Sequence, residues 1–201
     1  MTGRFISFEG GDGSGKTTQI RKLAERIRQA GGDVVVTREP GGTDLGLKIR
    51  QALLHGEDLS PRTEALLYSA DRAHHMATVV RPALERSATV ITDRFMDSSI
   101  AYQGGARGLG IDTITKLNRW AVEDLVPDMT ILLDLDPVIG AQRVGAKKDR
   151  LESAGDAFHA EVRQTFLDLA AKEPDRFVVV DASRTPEEIS ADIGTAYDRL
   201  R

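Results

Sequence analysis

Apolar residues fall along this chain in two alternating rhythms. Short unbroken runs, Phe5-Ile6-Ser7-Phe8, Val34-Val35-Val36, Thr89-Val90-Ile91-Thr92, Met129-Thr130-Ile131-Leu132-Leu133 and Phe177-Val178-Val179-Val180, read as buried strands. Between them the apolar positions recur every three or four residues, the helical period. Ile20, Leu23, Ala24 and Ile27 form one such stripe within 18–27. Further helices are expected over 45–54, from Pro61 to about Ser87 with Ser60 as N-cap, over 111–125, after Asp134-Leu135-Asp136-Pro137, and over 158–171. A last helix starts at Pro186, where Thr185 and Glu188 are spaced for a capping box. Within 111–125, Trp120 is expected as a core anchor. Five strands alternating with helices predict a parallel sheet covered on both faces, a three-layer α/β fold.

The chemistry enters between the first strand and the first helix. Gly10-Gly11-Asp12-Gly13-Ser14-Gly15-Lys16-Thr17 matches G-x-x-x-x-G-K-[ST] at every position, in the strand-to-helix context the pattern requires. Glycines let several backbone N–H groups face one anion, and the helix start adds partial positive charge. Lys16 is expected on the β- and γ-phosphates, Thr17 on Mg²⁺, and Thr18 among the nucleotide contacts. A dinucleotide loop does not match, because it requires glycine where Lys16 or Thr18 stands. The motif makes the fold class that of the P-loop NTPases.

Composition narrows the setting. The 201 residues are expected to form one P-loop domain over 1–201, and the formal net charge of −4 argues against general nucleic-acid binding. There is no cysteine for a disulfide or a thiolate metal site, which fits a reducing cytosol, and no apolar run long enough to span a membrane. A cytoplasmic protein is expected.

Polar residues gather after the strands, where open α/β sheets hold their ligands. Arg38-Glu39-Pro40-Gly41-Gly42-Thr43 follows the second strand, and Asp93-Arg94-Phe95 the third. Asp93 is a candidate for Mg²⁺ and Arg94 for the phosphates. Tyr68 and Arg72 share a helix face and could grip a base, although the pattern alone favours a core aromatic beside a surface charge. His74 and His75 read as ordinary surface or partly buried residues. Met96 to Gly105 reads by itself as a helix cap followed by a glycine loop, in which Ser99, Tyr102 and Gln103 offer hydroxyl and amide groups to a base or sugar. Arg143, Lys147, Lys148 and Arg150 form a basic cluster in an acidic chain, bracketed by Gly145 and Gly155. That pattern suits a short lid, about 143–155, closing over a triphosphate. There is no N-K-x-D motif and no D-x-x-G after a strand apart from Asp12-Gly13-Ser14-Gly15 within the phosphate loop itself, so a GTPase switch is disfavoured and a small-molecule kinase is the better reading.

These segments taken together resemble the thymidylate kinase family. The resemblance is carried by Phe8-Glu9-Gly10 and its loop, Thr37-Arg38-Glu39-Pro40-Gly41-Gly42-Thr43, Leu66-Leu67-Tyr68-Ser69-Ala70-Asp71-Arg72, Asp93-Arg94-Phe95 through Gly104, and Asp149-Arg150-Leu151-Glu152. It implies γ-phosphoryl transfer from MgATP to dTMP, giving dTDP and ADP, by a homodimer. It implies Tyr68 stacked on thymine where the family usually has phenylalanine, and Arg72, Ser99 and Gln103 at the base edge. Tyr102 is implied beside the 2′ position, with Asp12, Glu39, Arg50 and Arg94 near the sugar and acceptor phosphate. Arg143 and Arg184 are expected at the ATP. The loop holds no arginine, so a lid arginine is expected to supply transition-state charge, Arg150 first, joined by Lys16, Arg94 and Asp12 as the catalytic set.

Overall fold

The computed structural model describes residues 3–144, 150–151 and 153–200. Residues 145–149 and 152 of the expected lid, Lys147, Lys148 and Glu152 among them, lie outside the described residues. Five parallel strands form one sheet in the order β2-β3-β1-β4-β5. They are β1 (Phe5–Glu9), β2 (Val34–Arg38), β3 (Thr89–Asp93), β4 (Met129–Asp134) and β5 (Phe177–Asp181). β1 lies at the centre, with Phe8 opposite Asp93 on β3 and opposite Ile131 on β4. The chain runs to one side for β2 and β3 and to the other for β4 and β5. The carboxyl end of β1 is therefore the switch point where such sheets open a crevice.

Alternation along the strands splits the core in two. Ile6, Phe8, Ile91, Ile131 and Leu133 pack with α1 (Lys16–Gln29) and α9 (Pro186–Arg199). On the other face Phe5, Val90 and Leu132 pack under α2 (Asp44–His55), α3 (Pro61–His75), α6 (Ile111–Ala121) and α8 (Asp156–Lys172). The remaining helices are α4 (Arg81–Glu85), α5 (Met96–Ser99) and α7 (Pro137–Val144).

The helix expected from Pro61 to about Ser87 widens into a π-helical turn, Met76–Val80, before α4. The widening comes just ahead of Pro82, which has no N–H to donate back into an α-helical ladder. A second π segment, Ile100–Ala106, continues α5 without a break, so Gly104 and Gly105 lie in a helix and not in a glycine loop. A Cβ on Gly105 would come within 2.4 Å of Thr165 Oγ1; glycine there serves the close packing of this segment on α8.

Two expectations about packing are corrected. Trp120 is no core anchor, being 80% exposed. The stripe that α6 buries is Ile114, Asn118 and Ala121, and Trp120 lies two residues off Asn118, outside it. His75 is fully buried, because α3 also encloses Glu64, Tyr68, Asp71 and Arg72, a stripe that continues to position 75.

The capping box forms as expected: Glu188 N–H donates to Thr185 Oγ1, and Thr185 N–H to Glu188 Oε2 at 3.0 Å. Thr185→Ala should cost about 1 kcal/mol and lower the unfolding midpoint by roughly 2–4 °C. Calorimetric melting checks this, and an unchanged midpoint would remove the cap from the account.

Candidate active site

The phosphate loop is moulded by two close approaches. Gly10 has φ 133°, and a Cβ there would lie 2.5 Å from the Leu133 carbonyl oxygen. Gly13 has φ 75° and packs against Gly140 of α7, whose carbonyl a Cβ would meet at 2.4 Å. Both sites exclude L side chains sterically as well as conformationally. Lys16, the first residue of α1, donates from Nζ to the carbonyls of Gly10 and Gly11 at 3.1 and 2.9 Å. Burial, with the Arg94 guanidinium nearby, lowers its ammonium to about 8. Thr17, Thr18, Gly15 and Asp93 line the same cavity of about 530 Å³. Ser14 is buried behind them.

Arg94 ties the loop to β3. It has φ 67°, and its Nη1 donates to Gly10 O and Ser98 Oγ, both at 3.0 Å. Its Nη2 donates to Asp12 Oδ1 at 2.6 Å. Burial opposes ionisation of Asp12, but Arg94 and Lys16 prevail and hold its carboxyl below the ordinary value. The guanidinium sits 5.2 Å from the centre of the Tyr102 ring, whose hydroxyl burial pushes up. Beneath lies Glu9, the last residue of β1, which accepts from Phe95 N–H at 2.8 Å and from Ser98 N–H and Oγ–H at 3.3 and 2.6 Å. Burial and nearby Asp97 push the Glu9 carboxyl up. Asp97 in turn is clasped by Arg176 through two hydrogen bonds of 2.7 and 2.9 Å.

The second half of the cavity is built on Arg72, whose side chain is 2% exposed. Nε donates to Glu39 at 2.7 Å, Nη1 to Ser99 at 3.0 Å and to Asn118, and Nη2 to the Phe95 carbonyl at 3.0 Å. Glu39 spends its other oxygen on His75 Nδ1 at 2.8 Å, and His75 Nε2 meets Thr37 Oγ1 at 2.7 Å. Glu39 therefore orients Arg72 and has no oxygen uncommitted. Tyr68, Ser99, Tyr102, Gln103 and Arg50 line the same cavity, Arg50 bonded to the Pro40 carbonyl at 3.0 Å.

The basic residues of the lid separate. Arg143 of α7 reaches Gly13 O at 3.4 Å and Ala182 O at 3.2 Å, beside the loop. Arg150 stands elsewhere: it donates to the Leu53 carbonyl at 3.0 Å and pairs with Glu64 at 2.7 Å. Arg184 is bonded to Asp192 on the surface. Among the described residues no cluster of three His, Cys, Asp or Glu could hold a metal ion. None of the described helices is long and apolar enough to cross a membrane.

Several residues of this site escape the motif-based reading. Glu9 and Ser98 stand inside quoted segments, and Glu9 is flagged by its acidity at the end of a buried strand. His75 shares the Tyr68–Arg72 face. Asn118 and Glu64 carry no local signal, since an acid in the first turn of a capped helix is ordinary.

Comparison with known proteins agrees with this geometry. The thymidylate kinase family model matches residues 8–193. The thymidylate kinase of Bifidobacterium longum is 55% identical over the whole of both chains. That of Clavibacter michiganensis is 55% identical over 100% of this chain and 97% of its own. That of Deinococcus radiodurans is 50% identical over 96% of each. With a phosphate loop opening on a cavity that Tyr68, Arg72 and Gln103 also line, and full-length identity of this order, the chain belongs to the thymidylate kinase family.

Proposed function

We propose that this crevice carries out its family's reaction, transfer of the γ-phosphoryl group of ATP to dTMP, giving dTDP and ADP. The observation that carries the reading is that Lys16, Arg94 and Arg72 converge on one cavity, so donor and acceptor phosphates can meet in it. An acceptor phosphate oxygen attacks the γ-phosphorus, and the bond to the bridging oxygen breaks toward ADP. Such transfer is mainly positioning and charge stabilisation, and no dedicated base is assigned.

In this reading the loop amides of residues 10–17 and Lys16 hold the β- and γ-phosphates, with Thr18, Arg143 and Arg184 on the rest of the ATP. Arg94 and Arg50 neutralise the acceptor phosphate, and Asp12 orients Arg94. Tyr68 stacks on thymine, Arg72, Ser99 and Gln103 read its edge, Glu39 aims Arg72, and Tyr102 crowds the 2′ position. Thr17 hydroxyl and Asp93 carboxylate are oxygen donors of the kind Mg²⁺ prefers and line the loop's cavity. When bound, the ion would neutralise phosphate charge. A cytoplasmic location is part of the reading, supported by a cysteine-free chain. So is a homodimer: Leu45 and Leu47 on α2, Leu66 on α3 and Trp120 on α6 are exposed apolar side chains on three helices packed in succession.

The acceptor panel tests the substrate. MgATP-dependent ADP release with dTMP, dUMP, UMP, CMP, AMP and GMP should be greatest with dTMP, and preference for another monophosphate would break the pocket assignment. Arg150 is proposed to leave Glu64 as the lid closes and to meet the transferring phosphoryl. Arg150→Ala should then lower kcat by about 10³-fold, as loss of an arginine finger does, with a much smaller rise in KM for dTMP. A near-normal kcat would leave that charge to Lys16, Arg94 and Arg143. The lowered Lys16 predicts a pH dependence. Phosphates favour the ammonium, which prevails below about 8 and is lost above it. MgATP affinity should be flat below that pH and fall up to tenfold per unit above it, with proton uptake on binding. Titration calorimetry in two buffers reads both, and a flat profile to pH 9.5 contradicts the assignment.

A further inference from the structure

Glu64 lies in the first turn of α3, one turn before Tyr68, and is wholly buried. Its carboxylate is a hub. Gln103 Nε2 donates to Oε1 at 2.8 Å, while Arg150 pairs with Oε2 at 2.7 Å and Arg107 at 3.3 Å. A buried acid of this kind is costly unless its partners return the desolvation, and a leucine would satisfy the packing alone. None of these contacts touches the phosphate loop, and holding Arg150 at rest engages Oε2, so that ion pair does not account for an acid whose Oε1 accepts from Gln103.

The chemistry of the Gln103 contact does. A carboxylate flanked by two guanidiniums accepts hydrogen bonds and cannot donate. Only the NH₂ end of the amide can face it, which leaves Oε1 as the group offered to the cavity that Gln103 lines. Among the described residues no hydrogen bond engages that oxygen. Arg72 presents the opposite polarity to the same cavity. Of its five N–H groups, four are spent on Glu39, Ser99, Asn118 and Phe95, and one Nη2 hydrogen remains. Among the described residues, Arg72 and Gln103 thus leave this cavity one free donor and one free acceptor.

We propose that Glu64 sets the base specificity of the acceptor site, by locking the Gln103 amide with its oxygen toward the base. The inference rests on the reading above, in which Arg72 and Gln103 face the thymine edge. Arg72 then meets the C4 carbonyl and Gln103 Oε1 meets N3–H, an imide edge. Cytosine carries an amino group at C4 and a bare nitrogen at N3, the reverse at both positions. A turned amide would set its own N–H against thymine N3–H, and a buried mismatch of that kind is costly. Glu64 is a positioning residue and touches no reacting atom.

The test compares kcat/KM for dTMP and dCMP, at saturating MgATP, in the wild type, Glu64→Gln, Gln103→Ala and the double variant. Glutamine at 64 can offer either end of its amide, so Gln103 loses its fixed orientation. The dTMP-over-dCMP preference should fall about tenfold or more, mainly through KM for dTMP. In the Gln103→Ala background the same change should alter the preference less than about twofold, as coupled sites require. An unchanged preference in Glu64→Gln, or an equal fall in both backgrounds, overturns the proposal. If Glu64→Gln does not fold, Glu64→Asp withdraws the carboxylate by one C–C bond, about 1.5 Å, and keeps the charge for Arg107 and Arg150. The same loss of preference is expected, and wild-type preference in that variant overturns the proposal. A wild type that prefers no thymine acceptor fails at the acceptor panel instead, and that outcome rejects the base pocket itself.

Discussion

A guanidinium taken wholly out of water must be repaid at nearly every N–H, and Arg72 is repaid from four directions. Glu39 comes from the end of β2, Phe95 and Ser99 from the segment after β3, and Asn118 from α6. Removing one partner of such a buried pair commonly costs 3–5 kcal/mol, because the charge left behind has no water to turn to. The arginine therefore does two things with one set of contacts. It fastens three distant stretches of chain to α3, and it arrives at the cavity wall in a single orientation. Arg94 repeats the arrangement on the phosphate side, where Gly10, Ser98 and Asp12 share its donors and Glu9 braces Ser98 from below.

This coupling explains what the sequence discloses. The phosphate loop is legible because its constraints are local: glycine where a Cβ would strike Leu133 or Gly140, and lysine at a helix start. The three inner strands are legible because a central parallel strand is apolar on both faces, and the edge strands β2 and β5 because their valine runs favour extended chain. The capping box is legible because its partners stand three residues apart. Long-range partners leave no such trace. Asn118 lies 46 residues from Arg72, and nothing in the amphipathic pattern of α6 distinguishes an amide bonding a buried cation from a polar surface residue. His75 is misread because histidine is ambivalent and the buried stripe of α3 is unusually broad. Trp120 is misread because size suggests burial, whereas its angle on the helix decides. Arg150 is found as a basic residue of a lid, but its partner Glu64 is 86 positions away and its place in the structure could not be foreseen.

Glu64 joins two parts of the molecule that the motifs describe separately. One of its oxygens holds the amide of Gln103, which lines the cavity, and the other pairs with Arg150. In the proposed reading, an acceptor base that pulls on Gln103 also bears on the carboxylate that holds Arg150. Any exchange of Arg150 from Glu64 to phosphate leaves Arg107 as the remaining cation on the acid.

The central place of β1 has a consequence for how the chain is made. Its two neighbours, β3 and β4, end at residues 93 and 134, so β1, made before both, waits for its partners. At about 5–20 residues per second that delay is roughly 5 to 25 s. Until β3 is made, Phe5, Ile6 and Phe8 lie on a ribbon with two open edges, and the edge that meets β4 stays open to residue 134. A nascent chain of this topology is most vulnerable to aggregation before β3 and β4 are made, and most dependent on chaperones then.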